Sequence, residues 1–185
     1  MDLLKSVGRV AVMAIIFYSL MFFGVSYAHD IKSAVQDAGQ YFPSPVVSLG
    51  DADYNWNLKT LDGKDFSLQS ARGKVVLINI WATWCPPCVQ EMPSFQKLYN
   101  QFKNKIIFVF ASDEDPETLN KFLTMHGYRL PIYIYKQLPG AYETDGVPTT
   151  FIISSDGKII HRELGGPLNW NTQKTVDFLR SLNNK

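Results

Sequence analysis

Hydrophobic positions along this 185-residue chain change their spacing from one segment to the next. Residues 75–81 are almost continuously apolar, a pattern typical of a strand that is covered on both faces in a parallel sheet. A helix is predicted to follow this strand, because apolar side chains then recur at helical spacing and form one stripe. The side chains of that stripe, which we expect to face the core, are Cys88, Met92, Phe95, Tyr99 and Phe102.

The downstream pattern continues to alternate between strands and helices. Residues 106–111 predict a second central strand, and Asp115 with Pro116 provides an N-cap and a first-turn proline for the next helix. The face of that helix carries Leu119, Phe122, Leu123 and His126. Further strands are predicted at 132–135, 149–154 and 159–163, and a closing helix presents Thr175, Phe178, Leu179 and Leu182. The predicted fold class is therefore α/β, with a mixed central sheet flanked by helices.

A β-hairpin is predicted at the start of the globular part of the chain. Two short runs, 57–61 and 64–68, flank the dipeptide Asp62-Gly63, which suits a tight turn between antiparallel strands. The hairpin extends the sheet domain on its N-terminal side. We therefore place this domain at residues 53–185.

Residues 1–28 have the features of a targeting segment. Lys5 and Arg9 precede an uncharged apolar run at 10–25. A cleaved signal peptide and a retained signal anchor both fit this run, and the anchor is slightly favoured because its length approaches the ~20 residues that span a bilayer. In either case the rest of the chain is expected to be exported. Residues 29–52 show little periodic hydrophobicity and are predicted to be a linker.

Charge and cysteine content exclude several classes of protein. The 18 basic and 17 acidic side chains give a formal net charge of +1, so the chain has no overall field that would attract nucleic acid. A hydrophobic fraction of 46% suits one globular domain. The chain has only two cysteines, three positions apart, which cannot form the disulfide framework of a small secreted fold. The pair is therefore expected to carry local chemistry.

The Cys85-Pro86-Pro87-Cys88 run lies where the predicted strand gives way to the predicted helix. Cys85 is expected at the helix N-terminus, where free N–H groups and the helix dipole favour the nucleophilic thiolate. Cys88, one turn later and facing inward, is placed to attack a mixed disulfide at Cys85 and release the substrate. Pro86 and Pro87 have no N–H groups, so thiolate stabilisation should be moderate, which favours a reductant.

Two structural uses of the cysteine pair compete with this redox role. A disulfide across so short a loop would remove little chain entropy and would therefore stabilise the fold little. A zinc site would need two further ligands, and the three histidines, His29, His126 and His161, show no ligand spacing. Redox chemistry is therefore the favoured interpretation, and no role is assigned to the histidines.

Three motifs together resemble the thioredoxin superfamily, and specifically its membrane-anchored TlpA/ResA-like branch. They are the run from Trp81 to Cys88, the run from Gly146 to Thr150, and Asp156-Gly157-Lys158. The resemblance covers residues 53–185. It implies a thioredoxin-like fold that is held at a membrane by the N-terminal segment.

The resemblance also implies roles for individual residues. Cys85 would be the attacking thiol and Cys88 the resolving one. Pro148 would be a cis proline opposite the pair, and the backbone of Val147 would pair with an extended substrate peptide. From the residues alone, a trans proline would be the better expectation. The substrate-binding rim would further include Trp84, Pro86 and Pro87.

Two positions bear on proton transfer. Asn79 stands where many thioredoxins carry a buried aspartate, and an amide cannot act as a base. Glu91, three residues after Cys88, resembles the glutamate that ResA-like proteins place near their active site. A partly buried carboxylate there would have a raised pKa and could accept the proton of Cys88. The alternative is a first-turn acid that only suits the helix dipole.

The favoured function is a thiol-disulfide oxidoreductase that reduces disulfides of client proteins outside the cytoplasm. The resemblance implies clients in cytochrome c maturation or copper-centre assembly. We expect no metal and no cofactor beyond the redox-active disulfide Cys85–Cys88. Electrons are expected from a membrane thiol carrier of DsbD/CcdA type, because the chain has no flavin or nicotinamide motif. The expected location is the outer side of the cytoplasmic membrane, or the periplasm if the signal is cleaved.

Two other functions remain open at this stage. The same site could serve a disulfide-forming oxidase, which would differ from a reductase in its reduction potential. A non-enzymatic copper-delivery module is the second alternative, since two thiolates can bind Cu(I). Related copper chaperones, however, use a wider cysteine spacing and an added histidine, which this sequence does not show.

Overall fold

The computed structural model describes residues 46–182. The predicted targeting segment and the predicted linker up to residue 45 lie outside the described residues. Between residues 46 and 182, no helix is both long enough and apolar enough to cross a lipid bilayer.

The described part of the chain contains eight strands and four α-helices. The strands are β1 (Val47–Ser48), β2 (Asn57–Thr60), β3 (Asp65–Ser67), β4 (Val76–Ile80), β5 (Ile107–Ser112), β6 (Ile132–Ile134), β7 (Thr149–Ile153) and β8 (Lys158–Leu164). The helices are α1 (Asp51–Tyr54), α2 (Pro86–Phe102), α3 (Pro116–His126) and α4 (Gln173–Leu182). Two short 3₁₀ turns lie at Leu68–Ala71 and Gly140–Tyr142.

All eight strands form one sheet in the order β1-β8-β7-β4-β5-β6-β2-β3. β5 runs parallel to its neighbours β4 and β6, whereas the other neighbouring pairs are antiparallel. At the end of β4, Ile80 pairs with Ala111 on one side and with Thr149 on the other. The predicted α/β fold with a mixed sheet is confirmed, and the residues that follow β4 emerge near the middle of the sheet edge.

The central strands are buried because apolar layers cover both faces of the sheet. One layer joins Leu77 of β4 to side chains from the three long helices α2, α3 and α4. The other layer joins Val76 and Ile78 to α1 and to the two 3₁₀ turns. Successive side chains of a strand point to opposite faces, so a strand between two such layers needs the continuous apolar run seen in the sequence.

The predicted faces of two helices need small corrections. The core stripe of α2 is buried except at Tyr99, which is half-buried and packs edge-on against Phe108. Leu98, beside it in the sequence, is fully buried instead. On α3, His126 shares the predicted face but lies at its exposed rim, where its ring packs against Phe122 with centroids 4.5 Å apart. The polar ring of His126 thereby stays in water while it covers one edge of a core aromatic.

The domain begins earlier than the predicted boundary at Asp53. The predicted hairpin of β2 and β3 is present. Upstream of it, β1 pairs with β8 through Val47 and Ile159, and the Leu49 N–H donates to the Gly157 carbonyl at 2.9 Å. A strand of two residues is too short to give a recognisable alternation of apolar and polar positions. The sequence pattern therefore could not separate it from a linker.

Candidate active site

The cysteine pair lies in the turn between β4 and α2. Cys85 is the N-cap residue of α2, and its sulfur accepts a hydrogen bond from the Cys88 backbone N–H at 3.2 Å. A disulfide joins the two cysteines, whose Cα atoms are 5.3 Å apart. Pro86 and Pro87 occupy the start of α2, where a missing N–H breaks no intrahelical bond. The local sequence thus fixes Cys85 at the N-terminus of the helix.

The disulfide is recessed behind an apolar rim. Cys85 is only 3% exposed and Cys88 is 0% exposed. Trp84, immediately before the pair, is 70% exposed, and Pro86 and Pro87 are also exposed. A partner that reaches the Cys85 sulfur in the oxidised state must therefore contact this rim first.

A second loop faces the disulfide. The peptide bond between Val147 and Pro148 is cis, as the resemblance implies. The Cys85 sulfur lies 3.6 Å from the Val147 carbonyl oxygen. The Pro148 carbonyl accepts a hydrogen bond from the Gly165 N–H at 2.8 Å, which ties the loop to the end of β8. Because Pro148 is buried and Val147 is half-buried, Val147 is the more open of the two to a partner.

The backbone around Cys85 gives limited support to a thiolate. The Cys88 N–H donates to the sulfur and favours its charged form, whereas the nearby Val147 carbonyl would accept from a thiol and favours the neutral form. Pro86 and Pro87 contribute no donors. The described contacts of the Cys85 sulfur thus comprise one donor and one acceptor.

Glu114 fastens the loop before Cys85 to the end of β5. Its carboxylate accepts hydrogen bonds from the Thr83 backbone N–H at 2.7 Å and from the Thr83 hydroxyl at 2.6 Å. The Ser112 hydroxyl donates to the same carboxylate at 3.2 Å. Trp84 follows Thr83 directly, so these bonds also set the position of the exposed indole. No local sequence pattern marks Glu114, because its partner Thr83 is 31 positions away.

Glu91 is more deeply buried than the sequence predicts. Glu91 is only 1% exposed, and neither oxygen of its carboxylate has a hydrogen-bond partner among residues 46–182. Desolvation, with a smaller effect from the charge of Glu163, raises the pKa of Glu91 to about 7. The Trp170 indole N–H has the second largest effect and lowers this pKa, although it makes no hydrogen bond to the carboxylate. So deep a burial does not suit an acid that serves only the helix dipole.

The segment around the end of β8 closes over Glu91, and the sequence had not assigned a site role to it. His161 of β8 is buried, and its Nε2 lies 3.2 Å from a carboxylate oxygen of Glu163. The fully buried Trp170 packs edge-on against the His161 ring, with centroids 5.8 Å apart. Gly166 lies between these residues and borders the Glu91 carboxylate. The available sequence signal was Trp170, a large apolar residue outside every predicted element.

Asn79 connects two strands. It is fully buried in β4, and its Nδ2 donates to the Thr150 hydroxyl of β7 at 3.0 Å. The amide holds the two strands together at the level of the site, and as a neutral group it cannot accept the proton of a thiol. The buried carboxylate in this region of the site is instead Glu91 of α2, one helical turn after Cys88.

Comparison with known proteins identifies the family. The Redoxin family model matches residues 37–177, which is more than half of the chain. The chain belongs to the Redoxin family. Together with the Cys85–Cys88 disulfide, this membership makes the protein a thiol-disulfide oxidoreductase.

Relatives of this Redoxin-family chain carry matching names. The chain is 33% identical over 131 residues to the thiol-disulfide oxidoreductase ResA of Bacillus thuringiensis (strain Al Hakam). This alignment covers 69% of this chain and 76% of the relative. It is 41% identical over 137 residues to the thioredoxin-like protein YneN of Bacillus subtilis (strain 168), covering 71% of this chain and 81% of the relative. The predicted resemblance to ResA-like proteins is thus confirmed.

Solved structures support the fold. StoA from Bacillus subtilis matches with a TM-score of 0.54 and 21% identity, covering 75% of this chain and 98% of that chain. A thiol:disulfide interchange protein of the thioredoxin family from Chlorobium tepidum TLS matches with a TM-score of 0.57 and 23% identity, covering 75% of this chain and 100% of that chain. At these identities the similarity concerns the fold, and it confirms the predicted thioredoxin-like architecture.

Proposed function

We propose that this thiol-disulfide oxidoreductase works as a reductase of client proteins outside the cytoplasm. The observation that carries the proposal is the environment of the Cys85 sulfur, where a single backbone N–H is opposed by the Val147 carbonyl. Weak support for the thiolate leaves the dithiol form less favoured relative to the disulfide, and such a couple donates electrons readily. A strong oxidant would instead stabilise its reduced form.

The proposed reaction begins from the reduced protein. The Cys85 thiolate attacks a client disulfide, and one client sulfur leaves as a thiolate. Cys88 then transfers its proton to the Glu91 carboxylate and attacks the Cys85 sulfur of the mixed disulfide. The second client sulfur leaves, the Cys85–Cys88 disulfide forms, and two electrons have passed to the client. Glu91 suits this role because it lies one helical turn from Cys88 and changes charge near neutral pH.

Client binding is assigned to the rim of the recessed disulfide. Trp84 offers an exposed apolar surface, and the half-buried Val147 offers backbone groups to an extended peptide. Pro86 and Pro87 complete the rim and stiffen it. We assign the clients to cytochrome c maturation or copper-centre assembly, and the electron donor to a membrane thiol carrier of DsbD/CcdA type.

The predicted N-terminal anchor gives the location. A signal anchor within residues 1–28 would hold the domain on the outer side of the cytoplasmic membrane, or cleavage would release it to the periplasm. Either location places the site where client disulfides form and where a membrane carrier can deliver electrons.

The reduction potential of the Cys85–Cys88 couple tests the direction of the reaction. Equilibration of the protein with glutathione or dithiothreitol buffers should give a value well below the about −120 mV of DsbA, toward the about −270 mV of thioredoxin. A value near that of DsbA would identify an oxidase instead.

In cells, a Cys88→Ser variant should retain clients as mixed disulfides on Cys85, and the captured proteins would name the client class.

A further inference from the structure

The carboxylate of Glu91 rests against the backbone of one glycine. A Cβ atom built on Gly166 would lie 2.9 Å from Glu91 Oε1 and 2.9 Å from Trp170 Cζ2. Neither distance leaves room for a methyl group, since carbon atoms pack at about 3.5–4.0 Å. Gly166 therefore provides the space into which the carboxylate of Glu91 fits.

Backbone conformation does not explain this glycine. Gly165, its neighbour, has a φ of 74°, in the left-handed region where glycine is favoured. Gly166 is not among the glycines with positive φ, so an alanine could adopt its backbone conformation. The contact with Glu91 and Trp170 is thus the constraint that keeps position 166 without a side chain.

Hydrogen bonds hold this arrangement in place. The Ser94 hydroxyl donates to the Glu91 backbone carbonyl at 2.7 Å and accepts from the Trp170 backbone N–H at 2.9 Å. The Trp170 ring also stacks on Phe95 of the same helix, with centroids 5.3 Å apart. Trp170 is therefore bound to the turn of α2 that carries Glu91, so its ring cannot easily move away to relieve a clash with a side chain at position 166.

We propose that Gly166 is a positioning residue that holds the buried Glu91 carboxylate in place on α2, one helical turn after the buried cysteine. The inference rests on the proposed function, in which Glu91 accepts the proton of Cys88. Other charged or titratable groups also face this site: Glu163, which pairs with His161 on β8, and the Cys88 thiol of the reduced state. None of these side chains is itself replaced by the substitution Gly166→Ala.

The test compares Gly166→Ala with Gly140→Ala. Gly140 also lacks a positive φ, and a Cβ there would meet no atom within 4 Å, so it controls for the general effect of replacing glycine. Each reduced protein is mixed with excess oxidised glutathione, and the rate at which Cys88 resolves the Cys85–glutathione mixed disulfide, seen as release of the second glutathione, is measured from pH 5 to 9. For the wild-type protein we expect a rise in rate with a midpoint near pH 7, as Glu91 ionises.

In Gly166→Ala the rate at pH 7 should fall about tenfold or more, because a displaced base transfers the proton poorly. The rise should also move to lower pH, because the carboxylate leaves its fully desolvated position. Gly140→Ala should keep the wild-type profile. A Gly166→Ala profile that matches Gly140→Ala would overturn the proposal.

Glu91→Gln separates positioning from packing. Glutamine has nearly the same shape as glutamate, so Gly166→Ala should lower the melting temperature by a similar amount in either background. Its effect on the pH profile, however, should vanish when Gln occupies position 91, because no charge remains to be positioned. If Gly166→Ala alters the profile equally in both backgrounds, its effect does not pass through Glu91 and the inference fails.

Two outcomes distinguish this inference from the proposed function. If Glu91→Gln alone leaves the pH profile unchanged, the proton-accepting role of Glu91 is wrong, and the inference falls with it. If Glu91→Gln changes the profile but Gly166→Ala does not, only the inference falls. Should Gly166→Ala fail to fold, Gly166→Ala and Gly140→Ala are each combined with Trp170→Phe and compared again. The smaller phenylalanine ring removes the contact between position 166 and Cζ2 and leaves only the contact with Glu91.

Discussion

A buried carboxylate without a hydrogen-bond partner destabilises a folded protein when it becomes charged. Within residues 46–182 Glu91 is such a group, with a pKa of about 7 in the folded chain against a reference value of 4.5. Between these pH values the folded state binds more protons at Glu91 than the unfolded state does. The free energy of unfolding therefore falls as the pH rises from 4.5 to 7, and the favourable contribution present below pH 4.5 is lost.

Glu91→Gln should remove this pH dependence. Between pH 4.5 and 8, the free energy of unfolding of the wild-type protein should fall by about 3 kcal/mol relative to that of the variant. Each pKa unit corresponds to about 1.36 kcal/mol. Urea unfolding of the two oxidised proteins across this range measures the shift. Parallel stability curves would show that Glu91 titrates at its ordinary pKa, against the burial described above.

The start of α2 shows how one helix end can adjust a redox couple. An N-cap side chain accepts hydrogen bonds from the N–H groups of the second or third helical residue. In this chain the third, Cys88, donates to the Cys85 sulfur, and the second, Pro87, has no N–H. Pro86 stands at the first helical position, where an N–H would not bond to the side chain of the N-cap residue Cys85.

Pro87→Ala should make the protein a stronger oxidant. The new N–H can donate to the Cys85 thiolate, and a hydrogen bond to a charged group contributes about 1.5–3 kcal/mol, or about 30–60 mV for a two-electron couple. Pro86→Ala is the matched control, because it frees φ equally but adds its N–H away from the sulfur. Redox titration of both variants checks this, and equal potentials would contradict it.

The loop between β4 and α2 depends on a partner from another strand. Glu114 accepts two hydrogen bonds from Thr83, and the loss of this carboxylate would leave a partly buried N–H without an acceptor. Glu114→Ala should lower the free energy of unfolding by about 1–3 kcal/mol and slow client reduction, because Trp84 loses its fixed position. The exposed neighbour Asp113 provides the control variant, Asp113→Ala, which should change neither quantity. Guanidinium unfolding and client-reduction rates measure both effects.

Elements of this fold that depend on neighbouring residues could be predicted from the sequence. The buried strand β4, the apolar stripe of α2 and the N-cap position of Cys85 follow from local periodicity and from prolines at the helix start. Contacts between distant residues could not be predicted in this way. Glu114 and Gly166 are defined only by partners far away in the sequence, so their part in the site became visible with the structure.

At the scale of the whole domain, the sheet is bounded by two short strands. β3 forms one edge and the two-residue strand β1 forms the other. Short edge strands present few unpaired backbone groups and thereby limit pairing between molecules. β1 pairs with β8 at Lys158 and Ile159, whereas Leu164 at the other end of β8 pairs with Thr149, next to the cis proline.

This separation predicts that stability and activity respond differently to removal of β1. A chain that begins at Gly50 keeps α1 but lacks β1 and the hydrogen bond from Leu49 to Gly157, and it should lose about 1–3 kcal/mol of folding free energy relative to one that begins at Val46. Disulfide exchange should be unchanged. Thermal unfolding and exchange rates of the two chains test this, and equal melting temperatures would show that β1 contributes nothing.

Because the chain has only Cys85 and Cys88, oxidation can produce just one intramolecular pairing. Oxidised and reduced protein, folded and unfolded, therefore form a closed thermodynamic cycle of four states without scrambled species. The difference in unfolding free energy between the two redox forms must equal the difference in potential between the folded site and the same four residues in an unfolded chain, at 1.4 kcal/mol per 30 mV. Denaturation of the oxidised and reduced forms thus gives the reduction potential of the folded site without a redox buffer, once the reduction potential of the unfolded chain is known.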